Sequence, residues 1–549
     1  MGKVSAIASA ARQSITDAVF EGRVLREAGI VGLVRPDKAA KVAATFLRWG
    51  ASPATGIATA SIHHPDETAL IDERGSLTFE QLHRRSNALA HAFAKMGIGY
   101  GDGVGIMCRN HRGFIEATLA CAKLGASALY LNTMFAGPQL VEVMHREGPK
   151  ALVYDEEFSE LLNDVDGSVQ RVVAWNDGDT AATTIDSLIA ASDDSNLKPP
   201  PDKPSFVILT SGTTGAPKGA QRTSPDGLLA LAALIDKIPF RSREKMMIAA
   251  PLFHSWGFLH FVISLPTAAT IVLQRRFDPE ETLRAIQEQR TQVLAAVPVM
   301  IQRILQLPDE TLASYDLSSL RITSLSGSAL PGELATEWMD RFGDTIYNLY
   351  GSTEVAYATV ATPEDLRAAP GTAGRPPHGT VVRLYDDYGN EVAPGEVGRI
   401  FVGNEMSFEG YTGGGGKEVI GGLLSSGDVG HLDEAGRLFI DGRDDEMIIS
   451  GGENVFPREI EDLLAEHESI VEVAVIGVED EEFGQRLKAF VVLAGGVDLS
   501  EDDLKSHVKA NLASYKTPRE VEFLDELPRN ATGKILKRQL HDREMQRSS

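Results

Sequence analysis

Phe206-Val207-Ile208-Leu209 run straight into Thr210-Ser211-Gly212-Thr213-Thr214-Gly215-Ala216-Pro217-Lys218. Four consecutive apolar residues, rich in β-formers, predict a buried strand that ends at Thr210. The strand then empties into a loop of glycines and hydroxyls. Glycines let backbone N–H groups turn toward an anion with no Cβ in the way. Hydroxyls of Thr210, Ser211, Thr213 and Thr214 add donors, and Lys218 adds a point charge. The chemistry is that of a phosphate-binding loop. It is not the pattern G-x-x-x-x-G-K-[ST], because Gly212, Gly215 and Lys218 stand at other spacings. The plain alternative, a glycine- and threonine-rich surface turn, accounts less well for so long an ordered stretch.

The surrounding chain alternates strand and helix patterns. Thr78, with Gln81 three residues on, predicts a capped helix start. Val104–Met107 and Ala151–Tyr154 read as buried strands, with a helix over Phe114–Leu124 between them. Met246–Ala250, Val293–Val299, Arg321–Leu325 and Thr345–Leu349 read as further strands. Residues 371–441 read as a β-rich, barrel-like piece, and the chain from Arg443 onward as a small α+β unit. The first fifty residues look helical, with apolar stripes at Val4, Ile7, Ala11, Ile15 and Val19, then at Ala39, Val42, Phe46 and Trp49. Packing on the parent domain is the commoner fate of such stripes, and contact with a membrane surface is the alternative.

Bulk properties narrow the function. A chain of 549 residues exceeds one ordinary core. A formal charge of −24 argues against nucleic acid or an anionic membrane as the main partner, so any site for polyanions must gather its cations locally. Cys108 and Cys121, with no C-x-x-C, indicate neither a disulfide framework nor a zinc site. With no apolar run of membrane-spanning length, the reading is a cytoplasmic protein, with peripheral attachment at the inner membrane surface as the variant.

Four further stretches bear on chemistry: Asn348-Leu349-Tyr350-Gly351-Ser352-Thr353-Glu354, Ser426-Gly427-Asp428, Asp441 to Val455, and Asn530-Ala531-Thr532-Gly533-Lys534. Singly, each reads as a helix cap, a turn, an acidic surface loop or a solvated lysine. In this order, with the loop at Thr210, they resemble the adenylate-forming superfamily, which holds acyl-CoA synthetases, peptide-synthetase adenylation domains and beetle luciferases.

The resemblance implies an α/β fold. A large N-terminal domain, 1–442, would hold two parallel-type sheets and a β-barrel-like subdomain, with a helical extension over 1–50. A small mobile α+β domain, 443–549, would follow a hinge near Asp445. It also implies roles. Thr210 to Gly215 and Lys218 would hold ATP phosphates; Thr353 would touch phosphate and Glu354 would hold Mg²⁺, a cation that favours one or two carboxylates. Gly327, Ser328, Ala329, Asn348, Tyr350 and Gly351 would frame adenine, with Asp428 and Arg443 on the ribose. Gly451 and Gly452 would let a CoA arm pass, and Lys534 would bridge carboxylate and phosphate. Lys537 and Arg538 would add to a local positive field. His254 and Phe258 fall where fatty and aryl CoA ligases gate and line the acyl pocket, although Ser328, where many relatives have glycine, weakens any reading of chain length.

The implied activity is ATP-dependent conversion of a carboxylic acid, medium- or long-chain fatty acid first, to acyl-AMP and then acyl-CoA. The alternatives are an aryl- or other carboxylate–CoA ligase, an acyl-AMP ligase delivering to a carrier protein, and a catalytically silent ATP- or acyl-binding protein. Oligomeric state stays open, a homodimer among the readings.

Overall fold

The computed structural model describes residues 2–32, 36–202, 205–210, 218–222, 227–352, 354–406, 408–411, 416–446, 448–450, 453–480, 484–497, 499–512, 516–530 and 533–548. Two large sheets carry the body. One orders its strands Thr359–Ala361, Ile346–Tyr350, Ile322–Leu325, Val293–Ala296, Lys245–Ile248, Thr270–Leu273, Thr68–Asp72 and Gly75–Thr78. All pairings within it are parallel except those of the two edge strands. Its inner strands are nearly continuous apolar runs because helices cover both faces, as in Val293-Leu294-Ala295-Ala296, every residue of which is buried.

The other sheet runs Phe408–Tyr411, Lys218–Arg222, Phe206–Thr210, Ser127–Tyr130, Gly103–Met107, Ala151–Asp155, Gln170–Trp175. The strand expected to end at Thr210 does end there. It pairs antiparallel with Lys218–Arg222, Thr210 opposite Lys218, so the two ends of the phosphate-loop stretch meet in register. Ser211, Gly212, Thr213, Thr214 and Gly215 lie outside the described residues.

Two neighbouring side chains join the sheets. Asn110 Nδ2 donates to the carbonyls of Ile248 and Ala250 at 3.1 and 2.9 Å, and its Oδ1 accepts from Leu252 N at 2.9 Å. Arg112 clasps Asp72 through Nε and Nη2, with a contact of 2.5 Å. Both follow the strand Gly103–Met107 of the second sheet and bind the first.

Two smaller sheets follow. Val381–Tyr385, Gly398–Gly403, Leu423–Leu432 and Val419–Ile420 form an antiparallel sheet, and Leu438–Arg443 adds to Leu423–Leu432. The last sheet takes Glu453–Val455, Ile448–Ser450, Gly484–Leu493 and Ile470–Asp480, with Glu520–Phe523 parallel on Gly484–Leu493. It has its own core, around Ile460, Leu464, Val475, Ala489 and Val491.

The expected strand over Val293–Val299 stops at Ala296. Pro298 opens a helix, Pro298–Leu305, because proline fits a first helical turn that needs no N–H from it. The helix start at Thr78 carries the full capping box with Gln81.

The N-terminal segment forms α1 (Gly2–Glu27), α2 (Pro36–Trp49) and α3 (Pro53–His63). The stripe read from the sequence is not the packing face. Ile15 and Val19 stand 65% and 67% exposed, while Val24, Leu25 and Ala28 enter the main core. Val4, Ile7 and Ala11 lie where side chains fall outside the described residues. The seam is set instead by polar pins. Arg23 pairs with Asp236 at 3.1 Å, Phe20 stacks on His378 at 3.9 Å, and Ser242 N donates to the Ala28 carbonyl at 2.7 Å. On α2, Trp49 is buried, Phe46 is partly covered at 43% exposure, and Leu47 faces outward. Among the described residues, no helix is long and apolar enough to cross a membrane.

Candidate active site

One cleft of about 1440 Å³ gathers most of the residues singled out by sequence. Tyr350 closes the strand Ile346–Tyr350, and its Oη donates to Asp428 Oδ2 at 2.5 Å and lies 3.2 Å from Ser426 Oγ. Asp428 sits opposite Arg443 in the antiparallel pair, with Arg443 Nη1 at 3.9 Å from its carboxylate. Burial raises the Asp428 pKa; the Tyr350 hydrogen bond and the charges of Arg443, Lys534 and Lys417 oppose that rise. A buried carboxylate ringed by a phenol and three cations suits hydroxyl donors of a sugar on one side and anionic oxygens on the other.

Lys417 is the residue the sequence reading missed. It lines the cleft, and its Nζ lies 3.0 Å from where a Cβ on Gly427 would stand. The available signal was a lone cation closing the glycine run 413–416, shortly before Ser426-Gly427-Asp428.

After Tyr350 the chain turns sharply. Gly351 is required, since a Cβ there would overlap the Ala356 carbonyl. Ser352 Oγ donates to Glu354 Oε2 at 2.8 Å and accepts from Glu354 N and Val355 N. Glu354 lines the cleft, as do Ser326, Gly327, Ser328, Ala329 and Asn348. The buried Oδ1 of Asn348 has no hydrogen-bond partner among the described residues, so an acceptor stands unpaired next to Leu325, just before the turn Ser326–Ala329. Thr353 lies outside the described residues, and so do Gly451 and Gly452; the side chains of Thr210, Lys218 and Asp445 are likewise undescribed.

His254 precedes the helix Ser255–Ser264 and packs on Phe253 with ring centroids 4.5 Å apart. Its Nε2 is buried with no partner among the described residues, and burial lowers its pKa to about 4, so the ring is neutral at pH 7. Phe258, one turn on, stacks in a cluster with Tyr130 at 4.9 Å and Phe206 at 5.3 Å. Both His254 and Phe258 line the cleft.

The small C-terminal sheet packs over the opening. Gln302 Nε2 donates to the Val471 carbonyl at 3.3 Å. Gly533, at φ +77°, lies flat against Val299 with no room for a Cβ, and Lys534 next to it reaches the cleft. Lys534 N donates to Asn530 Oδ1 at 2.9 Å, which fixes the turn. Lys537 departs from expectation. Its Nζ is held by Glu446 at 3.0 Å and Glu461 at 2.9 Å. Burial alone would lower its pKa, but the two carboxylates outweigh that and raise it. Its charge is spent on them and adds little to the field of the cleft. The segment that leads into the small C-terminal sheet, Asp444–Glu446, is a single 3-10 turn, with Asp444 on Arg399 at 3.1 Å and Glu446 on Lys537.

Residues 58–412 match the family described as AMP-binding enzyme, and residues 459–534 match its C-terminal domain. The chain belongs to the AMP-binding enzyme family. Its fold is that of the adenylate-forming superfamily. A fatty acid–[acyl-carrier-protein] ligase, ScoC, of Streptomyces coeruleorubidus is 31% identical, covering 88% of this chain and 94% of that one. An indoleacetate–CoA ligase of Aromatoleum aromaticum is 34% identical, covering 86% and 94%. Among solved structures, the anthranilate CoA ligase AuaEII in complex with anthranoyl-AMP superposes with a TM-score of 0.81 at 26% identity, over 90% of this chain and 97% of that one. This family activates carboxylates at the expense of ATP, and its two matched segments span residues 58–412 and 459–534 of the chain.

Proposed function

We propose that the protein converts a medium- or long-chain fatty acid to its acyl-adenylate and then to acyl-CoA. One observation carries the reading. The cleft that holds His254 and the cations is also lined by Phe206, Phe258, Leu228, Leu231, Leu259 and Val262, an apolar surface fit for a hydrocarbon chain. The volume exceeds the roughly 300–1,000 Å³ usual for small-molecule sites, which leaves room for a chain beside a nucleotide.

The substrate carboxylate is ionised at pH 7 and needs no general base. Its oxygen attacks the α-phosphorus of ATP and pyrophosphate leaves. Two anions must be held together, a task of positioning and charge. Lys534 supplies a flexible cation where carboxylate and phosphate meet. Asp428 and Arg443 hold the ribose, Tyr350 presents a ring to adenine, and the loop from Thr210 to Lys218 holds phosphates. The donor set suits Mg²⁺: Glu354 brings a carboxylate to the cleft that Leu209, at the end of the phosphate-loop strand, also lines. The cation would neutralise phosphate charge there. In the second half-reaction the CoA thiolate attacks the acyl carbonyl carbon and AMP leaves, after the C-terminal unit has turned about Asp445 to pass the thiol by Gly451 and Gly452. His254, neutral and with an unpartnered nitrogen, stands between nucleotide and acyl chain and orients the carbonyl.

The second reading is an aryl–CoA ligase, favoured by the 34% identity to the indoleacetate enzyme; the ScoC likeness favours a fatty acid but a carrier-protein acceptor. A panel from acetate through octanoate and palmitate to benzoates and indoleacetate, with thioester and pyrophosphate followed together, tests all three. Thioester rising with chain length supports the proposal. Turnover confined to aryl acids overturns it, and pyrophosphate without thioester redirects the acceptor.

A further inference from the structure

The apolar lining of the cleft does not end within the part of the chain that matches the family. It takes in residues of α3 and of the helices Leu229–Lys237 and Ser255–Ser264, and also Ile30, Val42 and Phe46, all of which precede residue 58, where the family match begins. We infer that the N-terminal helical extension builds the distal end of the acyl pocket, so that α1 and α2 set which chain lengths this enzyme accepts. The inference rests on the fatty-acid reading above and deepens it.

Three observations support it beyond the shared lining. The extension is seated on the body at fixed points, through Arg23 on Asp236, Ser242 on Ala28, and the burial of Val24, Leu25 and Ala28 in the main core. A wall so anchored can select by length. The approach of α3 to the end of the helix Ser255–Ser264 is close as well: a Cβ on Gly56 would lie 2.6 Å from Leu265 Cβ, and both residues line the cleft. Finally, the side chains of α2 divide by role. Leu47 is 90% exposed and stands outside the cleft, whereas Val42 and Phe46, on the neighbouring face, line it. His63 and His64 add a polar edge to this wall, with Lys38 Nζ donating to the His63 carbonyl at 2.9 Å. An extended hydrocarbon fits such a lining, and each methylene moved from water adds to binding.

The test uses the full chain and two plugs, Ile30→Trp and Val42→Trp, one on the α1–α2 connection and one on α2. The readout is the ratio of kcat/KM for palmitate to that for octanoate, which does not depend on the fraction of enzyme folded. The wild type is expected to prefer palmitate, and each plug to lower the ratio at least tenfold. Phe46→Ala, which enlarges the same wall, moves the optimum toward longer acids, and Leu47→Ser leaves the profile as it was. An unchanged ratio in both plugs, with palmitate still used, overturns the inference and leaves the fatty-acid reading standing. A wild type that turns over no acid longer than the aryl substrates overturns both.

Discussion

Gly533→Ala isolates the seating of Lys534 from the fold of the unit that carries it. Gly533 has φ +77°, where an alanine costs roughly 1–2 kcal/mol wherever that turn is formed. A Cβ would also stand under 3.0 Å from Val299 Cγ1, on the helix Pro298–Leu305 of the other unit. Overpacking of this kind costs about 1–3 kcal/mol. Only the second cost depends on the arrangement that brings Lys534 to the cleft. It corresponds to a loss of about 5- to 150-fold in adenylation. The first half-reaction is read by pyrophosphate release, and the second by thioester formation from supplied acyl-adenylate and CoA. Adenylation should fall within that range, thioester formation much less. Val299→Ala removes the nearest atoms and should restore part of the loss, appearing as coupling in a double-mutant cycle. Equal losses in both half-reactions, or strictly additive variants, would refute the reasoning.

Three more outcomes are expected. Lys534→Ala should lower adenylation by about 10²–10³-fold while supplied acyl-adenylate is still converted; parallel loss of both steps would count against its assignment. Lys417→Ala should raise KM for ATP roughly tenfold or more, because a charge-assisted contact beside Asp428 is lost, and an unaltered KM would return Lys417 to the solvated surface. His254→Phe should flatten the acid limb of stability. The His254 pKa falls to about 4 on burial, below the unfolded value near 6.5. Its contribution is therefore full above pH 6.5 and is lost as pH drops toward 4, a matter of roughly 3 kcal/mol. Denaturant titrations at pH 7 and 4.5 should differ less in the variant, and identical differences would dismiss the argument.

Strands were legible where they were buried on both faces, since an apolar run bounded by glycine or proline leaves little choice. Val293–Ala296 is the clear instance, and the expectation there failed only at Pro298, where helix initiation outweighed apolar continuity; Phe206–Thr210 was legible from its apolar run although Phe206 and Ile208 are only partly buried. The polar half of the candidate site was legible to the extent that Glu354, Asp428, Arg443 and Lys534, singled out in separate stretches, line one cleft. Two things were not. Lys417 carries no motif, and a lone lysine acquires meaning only when the sheet brings it to Asp428. At Ile15 and Val19 the packing face of α1 was misread because periodicity identifies stripes without saying which one is paired, and here Val24, Leu25 and Ala28 took the buried side. Lys537 shows the reverse error: a charge counted from sequence is cancelled by Glu446 and Glu461, residues far away in the chain.

Asn110 and Arg112 bear on the timing of the reaction as much as on stability. Their bonds rivet the two large sheets into one anvil, with buried amide and guanidinium groups that would lose every partner if the sheets parted. Breathing between those halves is therefore an expensive route for traffic. On the function proposed above, pyrophosphate leaving and thiol arriving would pass by the smaller unit, which among the described residues meets the helix Pro298–Leu305 through the Gln302–Val471 hydrogen bond and the Gly533–Val299 contact. Turnover would then be metered by how often that unit swings about the turn Asp444–Glu446.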